Sequence, residues 1–366
     1  MSVAEYWTAV VRGERRGVAA SAVRLGLGLL RGPMWLGLTA NLGVYRLGLV
    51  RRAHVDRPVV SIGNLTLGGT GKTTATTYLV RRLAESGCRA GVVLRGHGRE
   101  SGSAPLLVSD GVQRLASPRD AGDEAVLLAS LLPGHPVAVG IRRERVARLL
   151  LEASPADAIV LDDAFQYFRL ARDAEIVLID ASHPIEADRL FPAGTLREPH
   201  GHLRRATQLW ITHAELVNEA RVTELRAWLE QAAPGLPVVV TAHCAGALRP
   251  LTAAPAPAPG ARVLAVSGLG NPRSFEAGLE RLGYDVAPLA FPDHHRYEPR
   301  DWDRIREAAR AADCKHVITT EKDAVKLSTP PPDVPSVHVL RCDLEVREGG
   351  TAIDELIEAV RTWHDR

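Results

Sequence analysis

The stretch VVSIGNLTLGGTGKTT, residues 59–74, decides the fold. A short run of apolar, mostly β-branched residues leads into a glycine-rich loop, and the loop leads into a helix-forming segment. Such a loop lets backbone N–H groups close around phosphate oxygens, and the following helix adds the positive end of its dipole. Residues 59–74 therefore predict a phosphate-binding loop between a buried strand and a helix.

The polar positions of this loop have predicted roles. Lys72 reaches the β- and γ-phosphates of a nucleotide, and the Thr73 hydroxyl is a ligand for Mg²⁺. Thr66 stands where the usual pattern has glycine, so a residue with a Cβ must make the first turn. The predicted nucleotide-binding residues are Gly68, Gly69, Thr70, Gly71, Lys72, Thr73 and Thr74.

A second apolar run, residues 158–161, ends in the carboxylates Asp162 and Asp163. An acidic strand end is the usual partner of a phosphate-binding loop, because it holds Mg²⁺ directly or through water. Adjacent strand residues point to opposite faces, so the sequence leaves open which carboxylate binds the metal. Together the two segments predict a site for a nucleotide and Mg²⁺. They leave open whether the phosphoryl acceptor is water or a hydroxyl group.

Short β-branched runs alternate with helical segments from residue 57 onward, which predicts a parallel sheet covered by helices. The predicted strands are 59–62, 90–94, 158–161, 176–179, 208–212, 263–267, 316–320 and 337–341, and the predicted helices are 73–86, 123–131, 142–152, 274–282, 301–312 and 352–363. The run 253–260, rich in proline and alanine, predicts a stiff linker or exposed loop. We therefore expect an α/β phosphate-binding-loop domain at 57–252 and a smaller α/β lobe at 261–366.

Composition excludes several classes of protein. The 366 residues carry 45 basic and 43 acidic side chains, and the resulting net charge of +2 favours neither disorder nor nucleic-acid binding. The four cysteines have no CxxC spacing, which argues against a disulfide scaffold or structural zinc site and favours a reducing, cytosolic compartment.

The charge is uneven, because the first 57 residues contain nine arginines and three acidic residues. This segment is also apolar, yet its longest uncharged run, residues 32–45, has 14 residues. That is shorter than the roughly 18 residues needed to span a bilayer. We predict that residues 1–56 form a helical segment lying in the lipid headgroup region. The alternative is a pair of helices, broken near Gly32 and Pro33, that packs on the main domain.

Short motifs follow one another in a specific order along most of the chain. They are residues 63–73, RGHGR at 95–99, GDE at 122–124, DDAFQ at 162–166, FPAGTLRE at 191–198, GLGNP at 268–272, FPDHH at 291–295 and TEKDAVK at 320–326. Together they resemble the tetraacyldisaccharide 4'-kinases, the lipid A 4'-kinases of Gram-negative bacteria. The resemblance implies transfer of the γ-phosphate of ATP to the 4'-hydroxyl of tetraacyldisaccharide 1-phosphate. It also implies a peripheral or monotopic protein at the cytoplasmic face of the inner membrane.

The resemblance implies roles for individual residues as well. Asp123 activates the acceptor hydroxyl, supported by a histidine that aligns best with His294, because a carboxylate oriented by an imidazole can take the hydroxyl proton. Candidate contacts to the substrate or its phosphates are Arg143, Gln166, Arg197 and Glu198. The chain departs from the family's pattern at His97, Arg142, Ala164, Tyr167 and Phe168, which bears on the electrostatics of acceptor binding.

The same loop also fits a membrane-associated ATPase or GTPase switch of the partitioning or targeting type. That class has a lysine just before the paired glycines, whereas this chain has Leu67 there. A third possibility, a nucleotide-dependent scaffold, leaves Asp123 without a task. The sequence therefore favours the kinase, with the switch as the alternative.

Overall fold

The computed structural model describes residues 3–11, 15, 17–252, 254–269, 272–292 and 295–363. In this described part, one twelve-stranded sheet is flanked by helices. The strands are β1 Val59–Asn64, β2 Ala90–Leu94, β3 Leu106–Ser109, β4 Val137–Val139, β5 Ala158–Asp162, β6 Ala174–Asp180, β7 Gln208–Thr212, β8 Val238–Pro250, β9 Arg262–Ser267, β10 Asp285–Ala290, β11 His316–Thr320 and β12 Ser336–Glu348. The helices are α1 Val3–Val11, α2 Val18–Arg46, α3 Lys72–Glu85, α4 Pro118–Ala121, α5 Asp123–Leu131, α6 Arg143–Ala153, α7 Glu219–Ala232, α8 Pro272–Arg281, α9 Asp301–Ala311, α10 Glu321–Ala324 and α11 Gly350–Arg361.

The strands lie in the order β10-β9-β11-β12-β8-β7-β6-β1-β5-β2-β4-β3. Neighbours are parallel except for the antiparallel pairs β12–β8 and β3–β4. Every predicted strand and helix is present, so the predicted parallel sheet covered by helices is confirmed. The sequence interpretation missed β3, β4, β8 and β10, together with α7 and the short helices α4 and α10.

The central strands are buried on both faces, as parallel strands between helix layers must be. In β1, Val60 and Ile62 pack in one cluster with Leu79 of α3. On the opposite face, Val177 of β6 packs in a second cluster with Leu225 of α7. This double burial explains why β1 is mostly apolar and why β5 is apolar up to Asp162.

The long strands β8 and β12 pair with each other and so connect the two halves of the sheet. The first half contains β1–β8, and the second half contains β9–β12. In the second half, α9 packs through Trp302 and Ile305 against β9. The last helix, α11, instead packs Ile353 and Leu356 into the cluster that contains α3. The division into domains at 57–252 and 261–366 remains a proposal, and α11 contributes to the core of the first half.

The N-terminal segment contains one long helix, α2, which continues through Pro33. The break near Gly32 and Pro33, which the alternative interpretation predicted, is therefore wrong, although Leu38 of α2 does pack against the main domain. A proline inside a helix removes one backbone hydrogen bond, and its ring crowds both the carbonyl four residues earlier and the Cβ of the preceding residue. Gly32 has no Cβ, so the second of these clashes is absent at this position. Among the helices in the described ranges, none combines the length and apolarity needed to cross a membrane.

Candidate active site

The phosphate-binding loop connects β1 to α3 at the centre of the sheet. Gly71 has φ +79 and precedes the first residue of α3, Lys72. The Lys72 ammonium lies 3.5 Å from Asn64 Oδ1 and 3.9 Å from Asp163 Oδ1. Thr66 forms an antiparallel bridge with Leu196, an extended conformation that a residue with a Cβ adopts freely. That pairing accounts for the departure from glycine at this position.

Two acidic residues flank the loop and bond to α3. The Thr73 hydroxyl donates to Glu124 Oε1 at 2.9 Å, and the Thr76 hydroxyl donates to Asp162 Oδ1 at 2.9 Å. Burial, and then the charges of Glu124 and Asp163, raise the pKa of Asp162 to about 8. The site therefore concentrates negative charge that the described side chains neutralise incompletely.

This arrangement fits a divalent cation. Asp162 Oδ2 is buried and has no hydrogen-bond partner in the described structure, so one carboxylate oxygen is left for a ligand. Hydroxyl and carboxylate oxygens, here from Thr73, Glu124 and Asp162, are the donors that Mg²⁺ prefers. Both oxygens of Asp163, by contrast, are bonded to Arg197. Asp162 is accordingly the better candidate for the metal.

Arg197 and Gln166 both lie at the end of β1. The Arg197 guanidinium contacts Asp163 at 2.7 and 3.3 Å and Asn64 Oδ1 at 3.1 Å. Burial disfavours the charged form of Asp163, but Lys72 and Arg197 outweigh it and hold the pKa of that carboxyl below its usual value. The Gln166 amide donates to the Asn64 carbonyl at 2.9 Å. The structure thus brings both predicted contact residues beside the phosphate-binding loop.

Arg143 lies at the start of α6 and is 6% exposed. Its guanidinium donates to the Ile141 carbonyl and covers the ring of Tyr167, 4.5 Å away. Burial lowers the pKa of Arg143 below its ordinary value. The Tyr167 hydroxyl in turn donates to Glu144. Tyr167, one of the departures from the family's pattern, therefore supports the arginine.

Glu198 is nearly inaccessible, with 1% exposure. Its carboxylate accepts hydrogen bonds from His202 at 2.6 Å and from Arg205 at 2.5 Å. The sequence analysis named Glu198 as a candidate contact to the substrate, but its carboxylate already has these two partners within the protein. Glu198 therefore stabilises the segment 198–205, whereas its neighbour Arg197 contacts Asp163 at the site.

Asp123 is the first residue of α5 and is partly exposed. Gly122 before it has φ +90, and a Cβ there would lie 2.5 Å from the His97 carbonyl oxygen. Only glycine fits this close approach, which brings α5 against the RGHGR segment. Because Glu124 bonds to Thr73, Asp123 lies next to the phosphate-binding loop. The predicted catalytic His294 lies outside the described residues.

A cluster of two histidines and a glutamate lies on the other side of the loop. His213 follows β7, His243 lies in β8, and their rings stack with centroids 4.2 Å apart. Burial opposes charge on His213, but a hydrogen bond with Glu215 raises its pKa above the usual value. Burial, and then the charge on His213, lowers the pKa of His243 to about 4. His243 is therefore neutral at pH 7.

The fold and this site define a P-loop nucleotide-binding protein: a strand, glycine-rich loop and helix, with an acidic neighbouring strand. Residues 27–361 match the family described as tetraacyldisaccharide-1-P 4'-kinase. The chain belongs to this family, so the resemblance drawn from the motifs is confirmed.

Individual relatives agree with the family assignment. A tetraacyldisaccharide 4'-kinase of Anaeromyxobacter dehalogenans is 40% identical over 348 residues, covering 93% of this chain and 92% of that protein. One from Geobacter sulfurreducens is 37% identical, covering 90% and 91%. The fold is similar to the crystal structure of LpxK from Aquifex aeolicus in complex with ATP, with a TM-score of 0.74 and 27% identity. That comparison covers 92% of this chain and 99% of the other.

Proposed function

We propose that the protein is a kinase that transfers the γ-phosphate of ATP to the 4'-hydroxyl of tetraacyldisaccharide 1-phosphate, a step of lipid A biosynthesis. The observation that carries this proposal is the meeting of Lys72, Thr73 and the carboxylates of Glu124 and Asp162 at one loop, in a chain of this family. Phosphoryl transfer needs little covalent chemistry from the protein, and positioning plus charge stabilisation supply most of the catalysis. This set of groups is suited to both.

Mg²⁺ is proposed as the second cofactor. When bound, it neutralises charge on the β- and γ-phosphates. Thr73, Asp162 and Glu124 are the residues to hold it, with Asp163 as the second predicted carboxylate. The buried Asp162 oxygen without a hydrogen-bond partner supports this assignment, because a cation bound there would satisfy it.

Asp123 is proposed as the base that takes the proton of the acceptor hydroxyl, with His294 orienting it. A sugar hydroxyl is a poor nucleophile at neutral pH, and a carboxylate within hydrogen-bond reach accepts its proton as the bond to phosphorus forms. The position of Asp123 at the exposed start of α5, one residue before Glu124, supports access for an acceptor. Arg197 and Gln166 are proposed to contact the phosphates or the acceptor.

Transfer of labelled γ-phosphate tests this function. We expect lipid-dependent labelling of tetraacyldisaccharide 1-phosphate in detergent micelles, and no labelling of an acceptor already phosphorylated at its 4' position. The second acceptor has the same acyl chains and carries a phosphate in place of the free 4'-hydroxyl, so it controls for micelle binding. Release of phosphate only to water, with or without lipid, would instead support the switch.

The N-terminal helices are proposed to contact the cytoplasmic face of the inner membrane. Leu25, Leu29 and Leu36 of α2 are 70%, 73% and 63% exposed, and their spacing places them along one side of the helix. Exposed apolar side chains among arginines suit a helix lying in the headgroup region of an anionic membrane. This supports a peripheral location without a spanning helix.

The same helices contact the loop that carries Arg197. The Trp7 indole donates to the Pro192 carbonyl at 2.8 Å, and its ring lies 5.6 Å from that of Phe191. A cavity of about 470 Å³ separates Trp35 of α2 from Leu196. A lipid acceptor held at the membrane surface would therefore meet the site from this side.

Replacing two of the exposed leucines tests the membrane proposal. We expect the double variant Leu29→Glu, Leu36→Glu to bind vesicles of phosphatidylethanolamine and phosphatidylglycerol at least about tenfold more weakly, because two apolar side chains lose their burial in lipid. Val112→Glu is the matched control, since Val112 is 93% exposed in a turn outside α2. Equal vesicle binding by the double variant and the control, measured by co-sedimentation, would contradict the proposal.

A further inference from the structure

The segment 188–197 lies between β6 and β7, and it brings Arg197 beside the phosphate-binding loop. The Leu67 N–H donates to the Thr195 carbonyl at 2.8 Å, and the Arg197 N–H donates to the Leu65 carbonyl at 2.6 Å. The end of the segment is therefore paired with the first turn of the phosphate-binding loop. These two bonds can hold Arg197 in place only if the rest of the segment keeps its own shape.

The carboxylate of Asp188 holds the segment in that shape. Its Oδ1 accepts the backbone N–H groups of Arg189 at 2.7 Å and of Thr195 at 3.0 Å. Its Oδ2 accepts the Thr195 hydroxyl and lies 2.8 Å from His183 Nε2. The side chain of Asp188 is 9% exposed. One nearly buried carboxylate thus joins residues 189 and 195 to His183, which follows β6.

The chain closes tightly around this carboxylate. A Cβ on Gly194 would overlap the Arg189 carbonyl oxygen and lie 2.5 Å from Asp188 Oδ1, so only glycine fits there. Burial opposes charge on Asp188, but hydrogen bonds from His183 and Thr195 outweigh it and lower the pKa of the carboxyl to about 2. Asp188 is therefore ionised at neutral pH, and its charge strengthens each hydrogen bond that it accepts.

We propose that Asp188 is a positioning residue for Arg197 and acts through Thr195. Thr195 bonds to Asp188 by both its N–H and its hydroxyl, and its carbonyl accepts a hydrogen bond from the phosphate-binding loop. Arg197 follows two residues later, with its guanidinium 2.7 Å from Asp163 Oδ1 and 3.1 Å from Asn64 Oδ1. The proposal rests on the role proposed above for Arg197, a contact to the phosphates or the acceptor. Such a contact is sensitive to placement, because an error of about 1 Å can cost about a hundredfold in rate.

A hydrolytic triad is the competing interpretation, because a threonine, a histidine and an aspartate meet here. In such a triad the nucleophile and the carboxylate bond to different nitrogens of the imidazole. Here Thr195 Oγ1 and Asp188 Oδ2 both lie near His183 Nε2, at 3.3 and 2.8 Å. The Thr195 hydroxyl also donates to Asp188, so its proton is not directed at the imidazole. The geometry therefore favours positioning over nucleophilic catalysis.

Substitutions at both partners of this bond test the proposal in the full chain. Asp188→Asn keeps the size of the side chain but removes its charge, and Thr195→Val keeps the shape but removes the hydroxyl. We expect each variant to lower kcat for transfer of labelled phosphate to the lipid acceptor about tenfold, because a hydrogen bond to a charged group is weakened or lost. Thr195→Ser retains the hydroxyl and should retain the rate. Asp110→Asn is the matched control, since Asp110 also accepts two backbone N–H groups, at 2.8 Å each, in the turn after β3.

A double-mutant cycle with Arg197→Ala separates positioning from general support of the fold. Rates are measured at single turnover with enzyme in excess, which extends the assay to slow variants. Adding Asp188→Asn to Arg197→Ala should lower the rate by less than about twofold, because the group that Asp188 positions is already absent. The same tenfold loss with and without Arg197 would overturn the proposal, and so would wild-type rates in Asp188→Asn and Thr195→Val. Absence of lipid-dependent transfer by wild type is a different result, and it would overturn the proposed function itself.

Discussion

Lys72→Ala is expected to reduce phosphoryl transfer by about a hundredfold to a thousandfold, the usual effect of removing one charge-assisted contact to a transition state. The ammonium lies 3.5 Å from Asn64 Oδ1 and 3.9 Å from Asp163 Oδ1, at the mouth of the loop that cradles the phosphates. In the variant, the loop lacks the cation that we propose to contact the γ-phosphate. The measurement is the rate of labelled phosphate transfer to the lipid acceptor at saturating ATP.

The fold should survive this substitution. Asp163 keeps both contacts to Arg197, and the side chain of Lys72 is not part of the apolar clusters. Unfolding temperature by circular dichroism should therefore change little. Lys315→Ala is the matched control, because it removes an exposed lysine far along the chain from the loop. Full activity in Lys72→Ala would contradict the assignment of the phosphate-binding loop.

The sequence was sufficient to predict most strands of the parallel sheet and the helices that cover it, but it did not indicate β3, β4, β8, β10 or α7. Buried parallel strands are recognisable because both faces are apolar, as in β1 and β5, and the glycine-rich loop has few alternative structures. The continuity of α2 was harder to predict, because Pro33 usually ends a helix. Gly32 removes one of the clashes of the proline ring, a local steric detail that the sequence pattern did not take into account.

The site was harder to predict than the fold, because its contacts join segments that are far apart in the sequence. Glu124 belongs to the GDE motif, yet nothing in that motif indicates a hydrogen bond to Thr73, 51 residues earlier in the chain. His213 and His243 meet only because β7 and β8 are neighbours in the sheet, and β8 was not predicted. Both contacts depend on how the sheet brings these segments together.

A sequence motif also does not indicate the direction in which each of its side chains points. Arg197 and Glu198 are consecutive in FPAGTLRE, and the sequence treats them alike. In the structure Arg197 bonds to Asp163 at the site, whereas Glu198 is enclosed by His202 and Arg205. The nearby basic residues at 202 and 205 were a signal for an internal ion pair that the motif alone did not use.

Asp123→Asn is expected to lower kcat by about a hundredfold or more while the KM for ATP stays nearly constant. The amide is the same size as the carboxylate but cannot accept the hydroxyl proton. It stays at the start of α5, so Glu124 remains bonded to Thr73. The measurement is steady-state transfer at varied ATP and lipid concentrations. A parallel rise in the KM for ATP would indicate a nucleotide-binding or structural role instead.

The neighbouring variant Glu124→Gln makes this test sharper, because two adjacent carboxylates are assigned different tasks. Glu124 bonds to Thr73 and its charge contributes to the raised pKa of Asp162, so its loss should raise the Mg²⁺ concentration needed for half-maximal activity. Excess Mg²⁺ should restore much of the rate in Glu124→Gln and none of it in Asp123→Asn. If both variants recovered with Mg²⁺, Asp123 would belong to the metal site, and the acceptor hydroxyl would need another base.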